Sequence, residues 1–252
     1  MEIRPQTLFT GQQLIWLPAC GSTNAEAQRL LGENRASEGC TVATDHQTAG
    51  RGQRGNRWEA AGGENLTLSV VWFPTFLDAG QQFLLSQAVA LAVHDWAAAL
   101  LGPSSALRVK WPNDLYYGPQ KLGGILIENA LSGQQIQHSV VGIGLNVNQL
   151  GFEVPTATSL AGLTGRAYDL GPLAAHLLEC LERRYLQLRA GRVGALRQAY
   201  LQALYRYQEL HTYEVAGQRV SGQIVGVGED GRLAVEIGGS VRWFGLQEIR
   251  YA

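Results

Sequence analysis

One stretch constrains the fold more than any other: KWPNDLYYGPQKLGGILIE, from Lys110 to Glu128. Asp114 to Tyr117 is apolar and aromatic, which predicts a short strand. Gly118 to Gln120 has the composition of a turn. Leu122 to Ile127 carries branched apolar residues and predicts the return strand. The stretch is therefore expected to form a β-hairpin.

The predicted return strand contains an unusual glycine pair, Gly123 and Gly124, directly after Lys121 and Leu122. Glycine weakens a strand interior, so a pair there marks either a bulge or a place where something approaches the backbone closely. A cation beside bare backbone N–H groups can receive an anion. A solvated lysine next to an ordinary bulge is the alternative on this stretch alone.

A second stretch, QTAGRGQRGNRW from Gln47 to Trp58, combines three glycines with three arginines. It is too flexible to pack and too cationic for a passive connector. Backbone N–H groups and guanidinium groups bind phosphate, and a mobile loop can close over such a ligand. An RNA-binding arginine–glycine loop or a disordered turn would look similar. Together, the two stretches predict a small-molecule site with a phosphate component.

The chain resembles the biotin–protein ligases, which attach biotin to a carrier lysine. Four motifs occur in the family's order, at Gly50 to Trp58, Lys110 to Asp114, Lys121 to Glu128 and Val141 to Asn146, after Ser22-Thr23-Asn24. The resemblance covers essentially the whole chain. It implies ATP-dependent attachment of biotin to a lysine of a biotin carboxyl carrier domain, with acetyl-CoA carboxylase as the expected acceptor. The intermediate would be biotinyl-5'-AMP.

Residues 1–208 are predicted to form an α+β catalytic domain, a mixed, mostly antiparallel sheet flanked by helices. The resemblance identifies this as the fold of the class II synthetases and biotin ligases. From about His211 the composition changes to short alternating strands, and Asp230-Gly231 predicts a hairpin turn. Residues 209–252 are therefore predicted to be a small C-terminal β-barrel domain.

Charge and cysteine content exclude several classes of protein. The net charge of −1 provides no global basic field for nucleic acid. The three cysteines, Cys20, Cys40 and Cys180, have neither metal-site nor disulfide spacing, which favours a reducing cytoplasm. Phe83 to Leu101 is apolar enough to raise the question of a membrane span. Polar residues interrupt it, so a buried core helix is predicted and no membrane association is expected.

Some biotin–protein ligases carry an N-terminal winged helix-turn-helix and repress biotin synthesis. Here the family motifs begin as early as Ser22. The sequence therefore predicts a short ligase without a DNA-binding domain. Edge strands of the predicted sheet could pair in a homodimer or stay solvated.

The resemblance also implies roles for individual residues. Lys121 would contact the biotin carboxylate and the α-phosphate, Arg51 would lie in the closing loop, and Asp114 would activate the incoming lysine as a base. These three are the predicted catalytic residues. The predicted biotin-binding residues are Ser22, Thr23, Asn24, Gln47, Gly50, Arg51, Gly52, Gln53, Lys121 and Gly124; the predicted ATP and adenylate contacts are Arg51, Arg54, Trp58, Asn113, Lys121 and Asn146.

Several of these assignments have a purely structural alternative. Ser22 and Thr23 could serve only to cap the helix predicted over Asn24 to Leu31. Asn113 and Asp114 could simply follow proline in a turn, and Trp58 could anchor its loop instead of covering adenine. Mg²⁺ is expected with ATP, held by phosphates and water, so no protein metal ligands are predicted.

Two related activities are alternatives. A lipoate–protein ligase of the same fold would lack the GRGQRGNRW loop and the WPND run, and an octanoyltransferase would also need a nucleophilic cysteine. The chain also departs from its own family at one position. Many members have GRGRRG where this chain has Gly50 to Gly55, and Gln53 stands where an arginine helps to hold the adenylate.

Overall fold

Seven strands form the larger of two sheets in the computed structural model, which describes residues 2–102 and 106–252, with Arg54 described without its side chain. Its strands are β1 (Leu14–Cys20), β2 (Thr41–Gln47), β3 (Leu66–Trp72), β4 (Leu107–Lys110), β5 (Asp114–Tyr117), β6 (Gln120–Ser132) and β7 (Gln135–Leu145). The sheet order is β1-β2-β3-β7-β6-β5-β4. β1 and β2 are parallel and the other neighbours are antiparallel. The predicted mixed, mostly antiparallel sheet is confirmed.

The hairpin predicted between Lys110 and Glu128 is present, with β5 at the predicted residues. β6 is longer than the predicted Leu122 to Ile127, since it extends to Ser132. The second half of β6 is stabilised by pairing with β7, as far as Ser132 and Gln135. This long-range pairing is not visible in the local sequence pattern. This extension places Glu128 inside a paired strand.

The helices cover both faces of this sheet, as predicted. α1 contacts β2, β3 and β7, whereas α2 and α5 contact β4 and α4 packs on α2. Side chains of β3 alternate between the two cores: Val70 and Trp72 join the α2 side, and Val71 joins the α1 side. The bounds are α1 (Thr23–Gly32), α2 (Gln82–Leu101), α3 (Leu160–Thr164), α4 (Leu170–Arg189) and α5 (Val193–Ala203).

The long apolar helix α2 is a core element. Ala79–Leu101 is long and apolar enough to cross a membrane, but 61% of its most apolar window is buried inside the structure. Trp96 is fully buried, and its Nε1 donates to the carbonyl of Leu173 on α4 at 3.0 Å. The prediction of a buried core helix is confirmed.

The N-terminal segment is tied to α4 by one buried carboxylate. Glu182, which is 4% exposed, accepts backbone N–H groups from Leu8 at 2.5 Å, Phe9 at 2.9 Å and Thr10 at 2.8 Å. A buried charge is stable only when it is fully hydrogen-bonded. This carboxylate therefore holds the N-terminal segment against the helical layer.

Glu182→Gln is expected to lower the free energy of unfolding by about 1–3 kcal/mol, because the amide leaves at least one of these buried or partly buried N–H groups without an acceptor. Thermal unfolding checks this. Glu179→Gln is the matched control one turn earlier on α4, where the carboxylate accepts only the exposed Gln6 N–H at 2.9 Å. Equal unfolding temperatures for the two variants would contradict this role of Glu182.

A second sheet follows, in the order β11-β10-β9-β8-β12, with antiparallel pairing throughout. The short strands predicted here are confirmed, and closure into a barrel stays a prediction. The domain boundary at residues 208/209 also stays a prediction. A single apolar core contains Trp111, before this boundary, as well as Tyr213 and Ile224, after it. The strands are β8 (Leu210–Val215), β9 (Gln218–Val227), β10 (Leu233–Ile237), β11 (Ser240–Phe244) and β12 (Arg250–Tyr251).

The linking segment corrects one prediction. Helical spacing predicts a helix from Val193 to Tyr207, but α5 ends at Ala203. Leu204 forms a bridge with Val109 of β4 instead, and Tyr207 forms one with Ile224 of β9. These extended contacts join the two sheets, so tertiary pairing overrides the local helical pattern.

Candidate active site

The floor of the site is a patch of strand backbone without side chains. Gly124 of β6 pairs with Gly144 of β7, which in turn pairs with Thr67 of β3. Gly142 pairs with Ser69 in the same ladder. Residues two apart on one strand, and paired residues on adjacent strands, share a face. The floor therefore consists of glycines on β6 and β7, and the adjoining strand β3 carries the hydroxyl side chains of Thr67 and Ser69.

Two side chains lie directly on this floor. A Cβ atom at Gly144 would collide with the indole ring of Trp58, and one at Gly142 would collide with the amide of Asn24. The loop carrying Trp58 is closed by its own backbone, since Trp58 N donates to the Gly50 carbonyl at 3.1 Å. The result is a cavity of about 160 Å³ between loop and sheet.

A bulge turns Lys121 towards the floor. Leu115 pairs with Gly123, yet Tyr116 pairs with Lys121, so Leu122 is an extra residue in β6. Residues three apart on a regular strand point to opposite faces. The extra residue brings the lysine to the face of Gly124, where a Cβ would lie 3.4 Å from Lys121 Nζ. The predicted bulge at the glycine pair is therefore observed, and approach of a ligand to this backbone stays a prediction.

Lys121 is held by Asp114. Its Nζ donates to Asp114 Oδ1 at 2.7 Å, and both side chains are partly buried, with exposed fractions of 33% and 24%. The centre of the Trp58 indole ring lies 6.0 Å from the same Nζ. The backbone of Lys121 is also fixed, because its N–H donates to the Thr156 carbonyl at 2.6 Å. The cation is therefore preorganised at the edge of the glycine floor.

Arg51 of the loop reaches a carboxylate on β6. Its Nη2 lies 3.1 Å from Glu128 Oε2, and Asn24 Nδ2 donates to the same oxygen at 2.7 Å. Arg51 is half exposed, so an anionic ligand can compete for its guanidinium. Glu128 was not predicted as a site residue. The signal for it was its place as the last residue of the KLGGILIE motif.

The β3 side of the cavity is a network of hydroxyl and amide groups. Ser69 Oγ lies 2.7 Å from Thr23 Oγ1 and 2.6 Å from Asn24 Oδ1, and Gln47 Oε1 accepts the Thr23 backbone N–H at 2.8 Å. Ser22 occupies the N-cap position of α1, but its side chain makes no capping hydrogen bond. In the described structure Ser22 thus caps α1 through its backbone carbonyl, which accepts Glu26 N–H at 3.0 Å, and contact of its hydroxyl with biotin stays a prediction. Strand alternation in β3 was the signal for Ser69 and Thr67, which sequence reasoning missed.

Two predicted nucleotide contacts lie at different distances from the cavity. Asn113 lines it, and its side-chain amide donates to the carbonyl of Ile125, whose N–H donates back to the Asn113 carbonyl at 3.0 Å. Asn146 is 4% exposed and lies behind the lining, where its Nδ2 donates to the Thr158 carbonyl at 2.9 Å. Contact between Asn146 and adenine stays a prediction.

Most of the predicted site residues meet at this one cavity. Gly50 lies on the outer side of the loop, and the side chain of Arg54 is outside the described part of the structure. The arginine–glycine loop and the hairpin, which together predict one small-molecule site, therefore line one cavity. The predicted residues that line the cavity are Ser22, Thr23, Asn24, Gln47, Arg51, Gly52, Gln53, Trp58, Asn113, Asp114, Lys121 and Gly124.

Residues 17–146, which carry nearly all of this cavity, match the model of the biotin/lipoate A/B protein ligase family. The chain belongs to this family. Within it, a biotin--[acetyl-CoA-carboxylase] ligase of Mycobacterium tuberculosis is 34% identical over 243 residues, covering 94% of this chain and 90% of that protein. A ligase of the same name from Paracoccus denitrificans is 34% identical over 84% of this chain and 89% of its own length.

Other family relatives are longer than the region they share with this chain. The bifunctional ligase/repressor BirA of Bacillus spizizenii is 34% identical over 71% of this chain, but this chain spans only 56% of its length. The fold matches a solved family structure over nearly its whole length. The biotin protein ligase from Aquifex aeolicus in complex with biotin and ATP has a TM-score of 0.78 at 24% identity, covering 96% of this chain and 100% of that one.

Proposed function

We propose that this protein is a biotin–protein ligase, which uses ATP to attach biotin to a lysine of a carrier domain through biotinyl-5'-AMP. The observation that carries the proposal is the Lys121–Asp114 pair, 2.7 Å apart, at the edge of a glycine floor beneath Trp58. Relatives named biotin--[acetyl-CoA-carboxylase] ligase, at 34% identity, support biotin as the substrate. The polar side chains of Thr23, Asn24 and Gln47, which line the cavity, supply both donors and acceptors, as a ureido ring requires.

In the first step, a biotin carboxylate oxygen attacks the α-phosphorus of ATP. The bond from that phosphorus to the β-phosphate bridging oxygen breaks, and pyrophosphate leaves. Two anions must meet, so the barrier falls when fixed cations stand at the reacting centre. Lys121 supplies one cation on the sheet, and Arg51 supplies another from the loop once the ligand displaces Glu128. Trp58 excludes water above the floor.

In the second step, a carrier lysine attacks the acyl carbon, the acyl–phosphate bond breaks and AMP leaves. The attacking ammonium must first lose a proton, and Asp114 is the carboxylate at hand to take it. An enzyme nucleophile is not required. Burial raises the pKa of the thiols of Cys20, Cys40 and Cys180, which keeps them protonated and disfavours the octanoyltransferase chemistry that needs a reactive cysteine.

Magnesium is proposed to enter with ATP. Among residues 2–102 and 106–252, no group of three histidine, cysteine, aspartate or glutamate side chains is placed to hold a metal ion. Asp114, which lines the cavity, is paired with Lys121. The residues thus do not build a dedicated metal site, and the ion would be bound by phosphate oxygens and water.

We further propose an acetyl-CoA carboxylase carrier domain as the acceptor and the cytoplasm as the compartment. The two relatives named biotin--[acetyl-CoA-carboxylase] ligase support this acceptor. The free thiols of all three cysteines agree with a reducing compartment. Independence from DNA and assembly as a homodimer stay predictions, which an electrophoretic mobility assay and light scattering would test.

The test of this function is exchange of labelled pyrophosphate into ATP, with biotin or lipoate as the second substrate. Exchange is expected with biotin and not with lipoate, followed by transfer of biotin to a purified carrier domain. Lipoate-dependent exchange without a biotin response would replace the proposal with the lipoate ligase alternative.

A variant with Asp114→Asn should slow transfer of biotin to the carrier domain at neutral pH, because it removes the proposed base.

Gln53 gives a further prediction about the intermediate. It begins a short 3₁₀ turn, Gln53–Gly55, and lines both the active-site cavity and the adjoining cleft towards the second sheet. A charge-assisted hydrogen bond contributes roughly 1.5–3 kcal/mol, against about 1 for a neutral one. Gln53→Arg is therefore expected to slow release of biotinyl-AMP about fivefold, as measured by stopped-flow or filter binding.

Gln137→Arg is the matched control, since it adds the same charge at an exposed position of β7. The rival to this prediction is compensation by neighbouring Arg54 or Arg57, of which Arg57 also lines the cavity. An unchanged or faster release from Gln53→Arg would mean that charge at this position does not control retention of the intermediate.

A further inference from the structure

Two consecutive residues at the end of β4 are held by the second sheet. Trp111, which is 5% exposed, donates its Nε1–H to the carbonyl of Gly231 at 2.9 Å. Nζ of the neighbouring Lys110 lies 4.8 Å from the centre of the Tyr251 ring and 4.5 Å from that of Tyr116. Gly231 lies in the turn between β9 and β10 and Tyr251 on β12, so these two contacts come from the second sheet, whereas Tyr116 lies on β5 of the first sheet. The end of β4 is thus fixed from outside its own sheet.

The turn that carries Gly231 is itself rigidly placed. Gly231 has φ +85°, and a Cβ there would lie 2.7 Å from the ring of Phe83 on α2. Glu229 of the same turn forms an ion pair with Arg197 of α5 at 2.9 Å. The turn between β9 and β10 therefore sits against two helices of the catalytic region, and its carbonyl can act as a fixed anchor.

Trp111 lies shortly before residues that line the active-site cavity. After Pro112, Asn113 is bonded to Ile125 of β6 on the far side, with Ile125 N–H donating to its carbonyl at 3.0 Å. Asp114 pairs with Lys110 across the β4–β5 hairpin and accepts Lys121 Nζ at 2.7 Å. The short segment between Trp111 and Asp114 is thus held at one end by the second sheet and at the other by β6.

We propose that the Trp111–Gly231 hydrogen bond couples the second sheet to adenylate formation. The anchor sets the position of Trp111, which sets where Asn113 and Asp114 meet β6 and so where Lys121 points. Trp111 is in this sense a positioning residue. The effect on rate rests on the proposed ligase function, whereas the mechanical coupling does not.

Trp111→Phe removes the N–H donor and keeps an aromatic ring. In biotin-dependent pyrophosphate exchange, kcat is expected to fall about 3- to 10-fold, the range for one lost hydrogen bond. KM for biotin is expected to stay unchanged, because the polar network of Thr23 and Ser69 lies on α1 and β3, away from the segment that Trp111 positions. A wild-type kcat, or a change confined to KM, would overturn the proposal.

Trp96→Phe is the matched control. Its Nε1 also donates to a buried carbonyl, that of Leu173, at 3.0 Å, but between α2 and α4. It is expected to lower stability without lowering kcat, whereas an equal loss of kcat would assign a merely structural role to Trp111. The double variant Trp111→Phe/Gly231→Ala is expected to be no slower than Gly231→Ala alone. Additive losses would mean that Trp111 does not act through this anchor.

Amide hydrogen exchange in the full chain tests the coupling without substrates. Gly231→Ala is expected to speed exchange of the peptide over residues 111–117 and to leave that of α1 unchanged. Unchanged exchange at residues 111–117 would overturn the coupling. Absence of biotin-dependent pyrophosphate exchange in the wild type would instead overturn the proposed function. The coupling measured by amide hydrogen exchange would still hold.

Discussion

Lys121→Met is expected to lower the rate of biotin-dependent adenylate formation on the order of 10²–10³-fold, the usual cost of one preorganised charge contact in a transition state. Lys121 Nζ is fixed by Asp114 at 2.7 Å beside Gly124, where the proposed mechanism brings the carboxylate and the α-phosphate together. Methionine keeps the length of the side chain and loses the charge. Pyrophosphate exchange under saturating biotin and ATP measures the change.

The variant should fold normally, because the backbone of Lys121 keeps its hydrogen bonds to Thr156 and Thr158, at 2.6 and 2.9 Å. Arg166→Met is the control, since this cation lies on Tyr168 away from the cavity. Normal exchange by a folded Lys121→Met protein would remove Lys121 from the chemistry. Loss of exchange in the control as well would point to a general charge effect.

Gly144→Ala is expected to lower kcat/KM for biotin by up to about 100-fold, because overpacking costs up to roughly 3 kcal/mol. The new methyl group would occupy the place of the Trp58 indole. The base of the loop is tied to the end of β1, since Thr48 N donates to the Cys20 carbonyl at 2.9 Å, and Trp58 N in turn donates to the Gly50 carbonyl at 3.1 Å. Steady-state exchange kinetics at varied biotin concentration would measure the loss.

Gly226→Ala on β9 is the matched control, because a Cβ there meets nothing nearer than Ala234 Cβ at 3.9 Å. Its kinetics are expected to equal those of the wild type. Adding Trp58→Leu to Gly144→Ala should restore part of the biotin affinity, because a smaller side chain leaves room for the methyl group. Unaltered kinetics in Gly144→Ala would show that Trp58 does not rest on the floor during catalysis.

The sequence alone predicted the elements of this protein well. Turn residues and apolar runs located the β4–β5–β6 region, and β5 matches Asp114 to Tyr117 without a shift. The apolar helix was placed within one residue of its observed Gln82–Leu101 span. These features depend on neighbours along the chain, so local periodicity is enough to reveal them.

The candidate residues were likewise visible in the sequence, because glycine and arginine in these patterns have few purely structural uses. The two stretches together predicted one small-molecule site, the resemblance implied the roles of individual residues, and Arg51, Asp114 and Lys121 are observed to line one cavity. The resemblance supplied what spacing could not, since Arg51 and Lys121 stand on separate segments of the chain.

Only the tertiary structure decided how these residues meet. The bulge at Leu122 brings Lys121 to the cavity face, Ser69 completes the polar network, and Glu128 receives Arg51. Each depends on strand register or on a contact between distant segments. A shift of one residue in register moves a side chain to the opposite face, and no local pattern records that shift.

The same reason explains the end of α5 and the anchor of Trp111. Helical spacing continues past Ala203, but Leu204 and Tyr207 bridge to β4 and β9 and end the helix. The hydrogen bond from Trp111 to Gly231 joins residues that are far apart in the chain. Local sequence determined which elements form, and long-range pairing determined which faces and side chains they bring together.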